Sequence, residues 1–244
     1  MVHPLHDLAL VGARAAVPRR PGSRLPGLTS RRPTELLVRR VAEHPGRPDR
    51  DRDEVMRMAM SRWSYRADQA VFPLLMAAAG AASLRHASIR QTEEWLGCLL
   101  SGVGAWTFLE YVLHRWVLHH VPPFKRLHEA HHAHPGEFIG TPAWLSAPLF
   151  VLAWLTLARE LSRPAAGGAA AGLMAGYLAY SLLHDAVHHR RATPGGWLAR
   201  AKQRHARHHR PGASGDFGVS TAFWDRLFGT ATTIRCNGSR RRGR

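Results

Sequence analysis

Cysteine is almost missing from this chain: Cys98 and Cys236 are the only two among 244 residues. They stand far apart, which implies neither a disulfide nor a thiolate metal site, and they leave no ligand set for an iron–sulfur cluster. Lysine is equally scarce, with Lys125 and Lys202 alone, and a basic complement made of arginine points to a high-GC, bacterial genome. Acidic residues number 17 against 34 basic ones. That excess suits nucleic acid by charge, yet no reading motif accompanies it, so no nucleic-acid partner is expected. No dinucleotide fingerprint is present either. Pro4, Asp7 and a series of Arg and Pro interrupt the N-terminus, so no apolar core marks a cleavable signal peptide. Residues 1–62 read as a basic, Arg/Pro-rich, disordered leader. Residues 233–244 read as a basic tail that is solvated or touches anionic lipid.

Histidine is what the chain has instead. Of 17 histidines, 13 fall between His114 and His209. Ten of these form four clusters at the ends of apolar segments: His114 with His119, His128 with His131 and His132, His184 with His188, and His205 with His208 and His209. Neutral imidazole keeps a free lone pair, which makes it the commonest protein metal ligand near neutral pH. Steps of three or four residues return to one helix face, so three of the clusters present converging sets. The first pair does not, because five residues turn through about 140° on an α-helix. His114 and His119 are therefore expected to serve different ions or to straddle a helix end, unless the helix bends. Ten imidazoles exceed the needs of one ion. Shared between two, they supply about five each and leave room for a small ligand such as dioxygen.

Chain-average hydropathy is slightly polar, but the mean hides four apolar segments, residues 70–84, 95–113, 142–158 and 165–183. The last three approach the ~20 residues that cross a hydrocarbon core, whereas the first is short, contains Pro73 and suits a half-crossing. Glu110 is the one ionisable residue in the second segment. With all four crossing, the connections 85–94 and 159–164 hold only Arg85, Arg90, Arg159 and Arg163, and the other 30 Lys and Arg lie opposite. The positive-inside rule then places both termini and every histidine cluster in the cytoplasm, in a bacterial inner membrane. An even number of crossings also returns the chain to one face, as a shared site requires.

The run from Glu110 through His114 to His119, with His128-x-x-His131-His132, His184-x-x-x-His188 and His205-x-x-His208-His209, resembles the histidine boxes of the fatty acid hydroxylase and sterol desaturase superfamily. The closing stretch from Phe217-Gly-Val-Ser-Thr to Trp224-Asp-Arg-Leu-Phe-Gly-Thr230 is similar to the C-terminal signature of its lipid hydroxylases. The resemblance covers roughly residues 70–232 and implies an all-α integral membrane enzyme of about four transmembrane helices, with residues 63–232 as the catalytic domain and a cytosolic helical cap holding a di-metal site. It further implies two iron ions on the ten histidines, dioxygen and external electrons as co-reactants, and hydroxylation or desaturation of a membrane lipid. Zinc is expected to replace iron on overexpression, since it binds nitrogen ligands more tightly than Fe²⁺. His120, His134 and His189 fall outside the boxes and are given supporting or surface places. Asp185 either orients an imidazole or sits as a solvated or capping carboxylate. Gly102, Gly104, Gly172 and Gly176 are candidates for close helix packing beside an acyl slot.

Three other readings compete. Leu183-His-Asp-Ala-Val-His188 followed by Arg190 also resembles carotenoid ring hydroxylases, although the closing signature sits better with acyl or sterol substrates. His128-Glu-Ala-His-His132 formally satisfies the His-Glu-x-x-His zinc-hydrolase pattern, as in an intramembrane protease, but that leaves the other histidines unexplained. A metal carrier would place ligands along a crossing path rather than at one face. Electrons need an outside donor, because the only haem-like signal, Glu43-His-Pro-Gly46, has no second axial histidine and too little chain for a cytochrome b5 domain. A ferredoxin- or cytochrome-type donor with its reductase is expected to dock on the Arg-rich stretch 190–210, with Arg200 and Arg204 in the contact.

Overall fold

The computed structural model describes residues 58–232. The expected leader up to residue 57, the tail 233–244 and Cys236 lie outside the described residues. Within them every regular element is helical. A short helix α1 (Arg62–Tyr65) is capped by Ser61, whose side chain accepts from the Ser64 amide at 3.1 Å, and it leads into α2 (Asp68–Leu84). Helix α3 (Ile89–Val112) starts at a capping box: the Gln91 amide donates to Ser88 Oγ at 3.3 Å and the Ser88 amide to Gln91 Oε1 at 2.9 Å. It runs without a break into a π-helical segment, Leu113–Leu118. Then follow α4 (Phe124–Ala133), α5 (Ala143–Glu160), α6 (Arg163–His189), α7 (Trp197–His208) and α8 (Phe223–Leu227). Ser162 caps α6, with Pro164 in the first turn, where its missing N–H costs nothing.

Three stretches are long and apolar enough to cross a membrane: Arg62–Leu84, Ile89–Leu118 and Arg163–His189, of 23, 30 and 27 residues. The first segment, expected to be marginal, is among them because α1 and the turn after it lengthen the helix towards the N-terminus. The expected third span is not. It is α5, whose 18 residues end on Arg159 and Glu160. Yet α5 belongs to the same bundle, since only residues 161 and 162 separate it from α6, which folds back along it. One aromatic ring from each long helix meets at the centre: Phe72, Trp106, Phe150 and Tyr177, with adjacent centroids 4.6–5.6 Å apart.

Helices α3 and α6 make the closest pair. A Cβ on Gly102 would strike the Ala169 carbonyl, and one on Gly172 would strike the Leu99 carbonyl. These backbones meet because neither residue has a side chain there. Gly176 fits the same expectation, facing Trp106, but Gly104 does not, since nothing lies within 4 Å of its Cβ position. Gly172→Ala is accordingly expected to cost about 1–3 kcal/mol through overpacking and to lower the melting temperature in detergent. Gly104→Ala, with open space at its Cβ, should not lower it and should gain about 0.5–1 kcal/mol of helix propensity, and equal losses would contradict this packing.

Candidate metal centre

The ten histidines converge at one end of the bundle, from the end of α3, from α4, from the end of α6 and from α7. His114 lies in, and His119 directly follows, the feature that their spacing did not reveal. The π segment hydrogen-bonds each residue five positions on and so widens the turn, which brings residues five apart much closer to one face than an α-helix does. The two rings stack 5.4 Å apart, 11° from parallel, and belong to one group rather than to different ones. The bend that an α-helix would have needed is supplied by this turn.

Five nitrogens form the first group, those of His114, His119, His128, His132 and His208. Four of them close a square: Nε2 atoms lie 3.2 Å apart for His119–His128, 3.0 Å for His128–His132, 3.1 Å for His132–His208 and 3.2 Å for His208–His119. His114 Nε2 stands 3.1 Å from that of His128. The second group is His131, His184, His188 and His205. His209 lies outside that foursome, but its Nε2 is 3.0 Å from His205 Nε2 and its ring stacks on His132 at 4.2 Å, so it sits between the groups.

These residues pass a test for metal. Imidazoles hydrogen-bonded to each other would alternate donor and acceptor. Here the Nδ1–H of His114 donates to the Phe217 carbonyl and that of His208 to the Gly215 carbonyl at 3.0 Å, which leaves bare lone pairs on both Nε2 atoms. Two bare lone pairs aimed into a cluster of five imidazole nitrogens fit a cation at its centre. The centre of a square with 3.0–3.2 Å edges lies about 2.1–2.3 Å from its corners, close to the ~2.0–2.1 Å of a metal–imidazole bond. In the second group, both ring nitrogens of His131 are buried without any hydrogen-bond partner. Such orphans are costly unless a ligand satisfies them.

Protonation agrees with this. Burial first, reinforced for most by neighbouring imidazoles, holds His132 and His208 down to about 4 and His209 to about 3, and lowers His128, His131 and His205 as well. All six are neutral at pH 7. Because the unfolded chain takes up protons near 6.5 and the folded one only lower, stability drops as pH falls through this interval. The metal-free protein is expected to show a level melting temperature above about pH 7 and a steady decline towards pH 4. Metal retention should decline in parallel, since imidazolium has no lone pair. A flat profile in calorimetry would contradict buried neutral imidazoles.

The C-terminal signature holds the histidines from behind. Asp225, 1% exposed, accepts from the Phe217 amide at 2.9 Å, the Gly218 amide at 2.8 Å and the Thr230 hydroxyl at 2.7 Å. Glu110, near the end of α3, accepts from the Val219 and Ser220 amides at 2.7 and 2.9 Å. Together they fix the loop whose carbonyls orient His114 and His208. The sequence carried one signal for this arrangement, the lone carboxylate at 110 inside an apolar run. Asp185 has a different place from either expected one: it is 1% exposed and ion-paired with Arg66 at 3.0 Å and Arg190 at 3.7 Å. Tyr65, beside Arg66, brings its hydroxyl to 3.5 Å from His184 Nδ1. Of the histidines outside the boxes, His120 bonds the Trp116 carbonyl at an exposed site, His189 packs on Phe138 at 4.7 Å, and His134 stands near α4's end. None of the three joins either group.

Two cavities flank the centre. One, of ≈ 80 Å³, faces the bundle and is bounded by His114, His128, His131 and His184 together with Asp68 and Tyr177. The other, of ≈ 380 Å³, opens outward past His119, His132, His209 and Arg210. Glu129, the would-be base of the zinc-hydrolase pattern, is exposed and pairs with Lys125 at 3.7 Å.

Residues 99–230 match the family model described as Fatty acid hydroxylase. The chain is 29% identical over 147 residues to a fatty acid 2-hydroxylase of Mus musculus, a match covering 56% of this chain and 40% of that protein. It is 31% identical over 147 residues to a dihydroceramide fatty acyl 2-hydroxylase of Arabidopsis thaliana (56% and 61%). Over 145 residues it is 33% identical to a ceramide very long chain fatty acid hydroxylase of Schizosaccharomyces pombe (53% and 40%). The chain thus spans less than two thirds of the length of each. A solved structure of full-length scs7p, in which only the hydroxylase domain is visible, shares the fold with a TM-score of 0.56 at 24% identity, over 72% of this chain and 68% of that one. All ten clustered histidines, and the signature whose carbonyls orient two of them, fall inside the matched stretch, and the chain belongs to the fatty acid hydroxylase family.

Proposed function

We propose that this protein is a membrane-bound, dioxygen-dependent lipid hydroxylase. The observation that carries the reading is the square of imidazole nitrogens, with His114 beside it, set against a cavity shared with residues of the membrane-crossing helices. The first group of histidines would hold one ion, and His131, His184, His188 and His205 with His209 a second. When bound, a pair of iron ions supplies the two-electron chemistry with dioxygen that side chains lack. In sum, a C–H bond, dioxygen, two electrons and two protons become C–OH and water.

The chain's own residues orient and exclude. Phe217 and Gly215 carbonyls lock the tautomers of His114 and His208, so that both Nε2 atoms face inward. Leu118, Phe124, Leu127 and Ile139 wall the inner cavity with apolar surface and keep water from the reacting carbon. The tail of the substrate stays among α2, α3 and α6, inside the bilayer. In this reading α5 completes a four-crossing bundle and the centre lies on the cytoplasmic side, which the excess of Arg on that side supports. Two of the named relatives are fatty acid or fatty acyl 2-hydroxylases and the third a ceramide very long chain fatty acid hydroxylase, and we extend that class of substrate to this chain. Acyl hydroxylation is favoured over ring hydroxylation of a carotenoid by the match to acyl hydroxylases.

These 244 residues hold two cysteines and no dinucleotide fingerprint, so the electrons arrive from a redox group outside them. The outer cavity, with exposed Arg210 in its lining, suits an acidic ferredoxin- or cytochrome-type donor, and exposed Arg200 adds to the basic stretch 190–210 on the same helix and loop. Arg204, expected beside Arg200 in that contact, is half-buried and turns its guanidinium towards the Val219 carbonyl at 3.5 Å. The deciding experiment supplies the iron-loaded protein in lipid with a donor, its reductase and isotopically heavy dioxygen. One heavy oxygen atom in the product lipid is the expected result. Label arriving from water instead, or none with every acyl lipid, would overturn the reading.

A further inference from the structure

The inner cavity has a polar end that oxygen chemistry leaves unused. Asp68, in the first turn of α2, is 4% exposed. Its Oδ2 accepts from the Tyr177 hydroxyl at 2.7 Å and its Oδ1 from the Ser146 hydroxyl at 3.5 Å. Among the described residues no cation pairs with it, and Arg66, two positions away, is engaged by Asp185 at 3.0 Å. A carboxylate inside a membrane bundle is expensive, and the two neutral hydroxyl donors it accepts from do not by themselves offset that cost. Two hydrogen bonds also leave acceptor capacity over, because a carboxylate offers about four lone-pair sites.

Position tells what that capacity is for. Asp68, Tyr177 and Ser181 line the same cavity as His114, His131 and His184. Ser181 lies one turn and Tyr177 two turns before His184 on α6, which sets the polar end about 5–10 Å from the histidines. The ≈ 80 Å³ between them holds a few water-sized groups, the size of a short polar fragment of a lipid rather than its tail.

We infer that Asp68 is a specificity-determining residue: it accepts a hydrogen bond from a hydroxyl or amide N–H of the lipid, a few bonds from the carbon attacked, and repels lipids that carry a carboxylate there. This rests on the lipid-hydroxylase reading of the same site. Tyr177 and Ser146 hold the carboxylate in place, and the opposing histidines fix where the carbon must lie.

The test measures binding without turnover. Full-length, metal-loaded protein in nanodiscs, with no electron donor, is titrated with an N-acyl amino alcohol, the methyl ester and the free fatty acid of one chain length, each displacing a fluorescent acyl probe. The wild type should prefer the amino alcohol over the ester by about 10–100-fold, the usual strength of a charge-assisted hydrogen bond, and should bind the free acid most weakly. In Asp68→Asn that preference should shrink about tenfold or more and the free acid should gain affinity, while ester binding and metal content stay constant. Where the Asn variant does not fold, Asp68→Glu keeps the charge but displaces it by one methylene and should also narrow the preference. A wild type without preference, or a preference untouched in the variants, overturns the inference. Should the preference track Asp68 while no lipid gains oxygen under turnover conditions, the hydroxylase reading fails and the recognition role of Asp68 stands.

Discussion

Replacing His208 or His131 with Ala is expected to abolish turnover and to lower bound metal from about two equivalents to about one. His208 closes two edges of the nitrogen square, and its tautomer is set by the Gly215 carbonyl. His131 belongs to the other group and has no partner for either ring nitrogen. Each loss therefore strikes a different ion. Rates should fall by more than the ~10–100-fold that removal of a supporting neighbour produces. Membrane insertion should persist, because the long helices insert on apolar length while the histidines tie only their ends. His86, in the connection before α3, belongs to neither group, and His86→Ala should leave rate and metal content near normal. Metal analysis beside activity decides the matter. Equal damage from His86→Ala and His131→Ala would show that the centre lies elsewhere.

The second large effect is expected away from the ligands. Asp225→Ala strands the Phe217 and Gly218 amides and the Thr230 hydroxyl, all of which it now accepts. Each buried group left without a partner costs about 1–3 kcal/mol, so the loop is expected to detach. The Phe217 and Gly215 carbonyls then leave His114 and His208, both in the first group. The variant should lose the metal of that group and keep the other, with activity near zero. Asp225→Asn, which retains one acceptor, should fall between. Two full equivalents of metal in Asp225→Ala would refute this coupling.

What could be read from the letters followed helical arithmetic. Steps of three and four placed His128 with His132 and His184 with His188 on common faces, and the apolar segments located the long helices. The pairing of His114 with His119 was out of reach, since a π turn leaves no mark in composition and an α-helix gives the wrong angle for five residues. Glycine spacing found three close contacts and missed at Gly104, because the letter does not say which side of α3 faces α6. Asp185 read equally as a partner for an imidazole or as a solvated or capping carboxylate, and only tertiary packing brings Arg66 to it. Asp68 was invisible as a cavity residue, since it reads as an ordinary first-turn acid until Tyr177, 109 positions on, is packed against it.

The acceptors that orient His114 and His208 are main-chain carbonyls, and the genetic code cannot delete a carbonyl. Side-chain changes at Phe217 leave that acceptor in the polypeptide whatever residue is installed. Sensitivity is displaced outward, to Asp225 and Glu110, the carboxylates that keep the loop in register. A saturation scan of this region should consequently record its gravest losses at two acids that touch no histidine, and a search for important positions ranked by distance from the centre would overlook both.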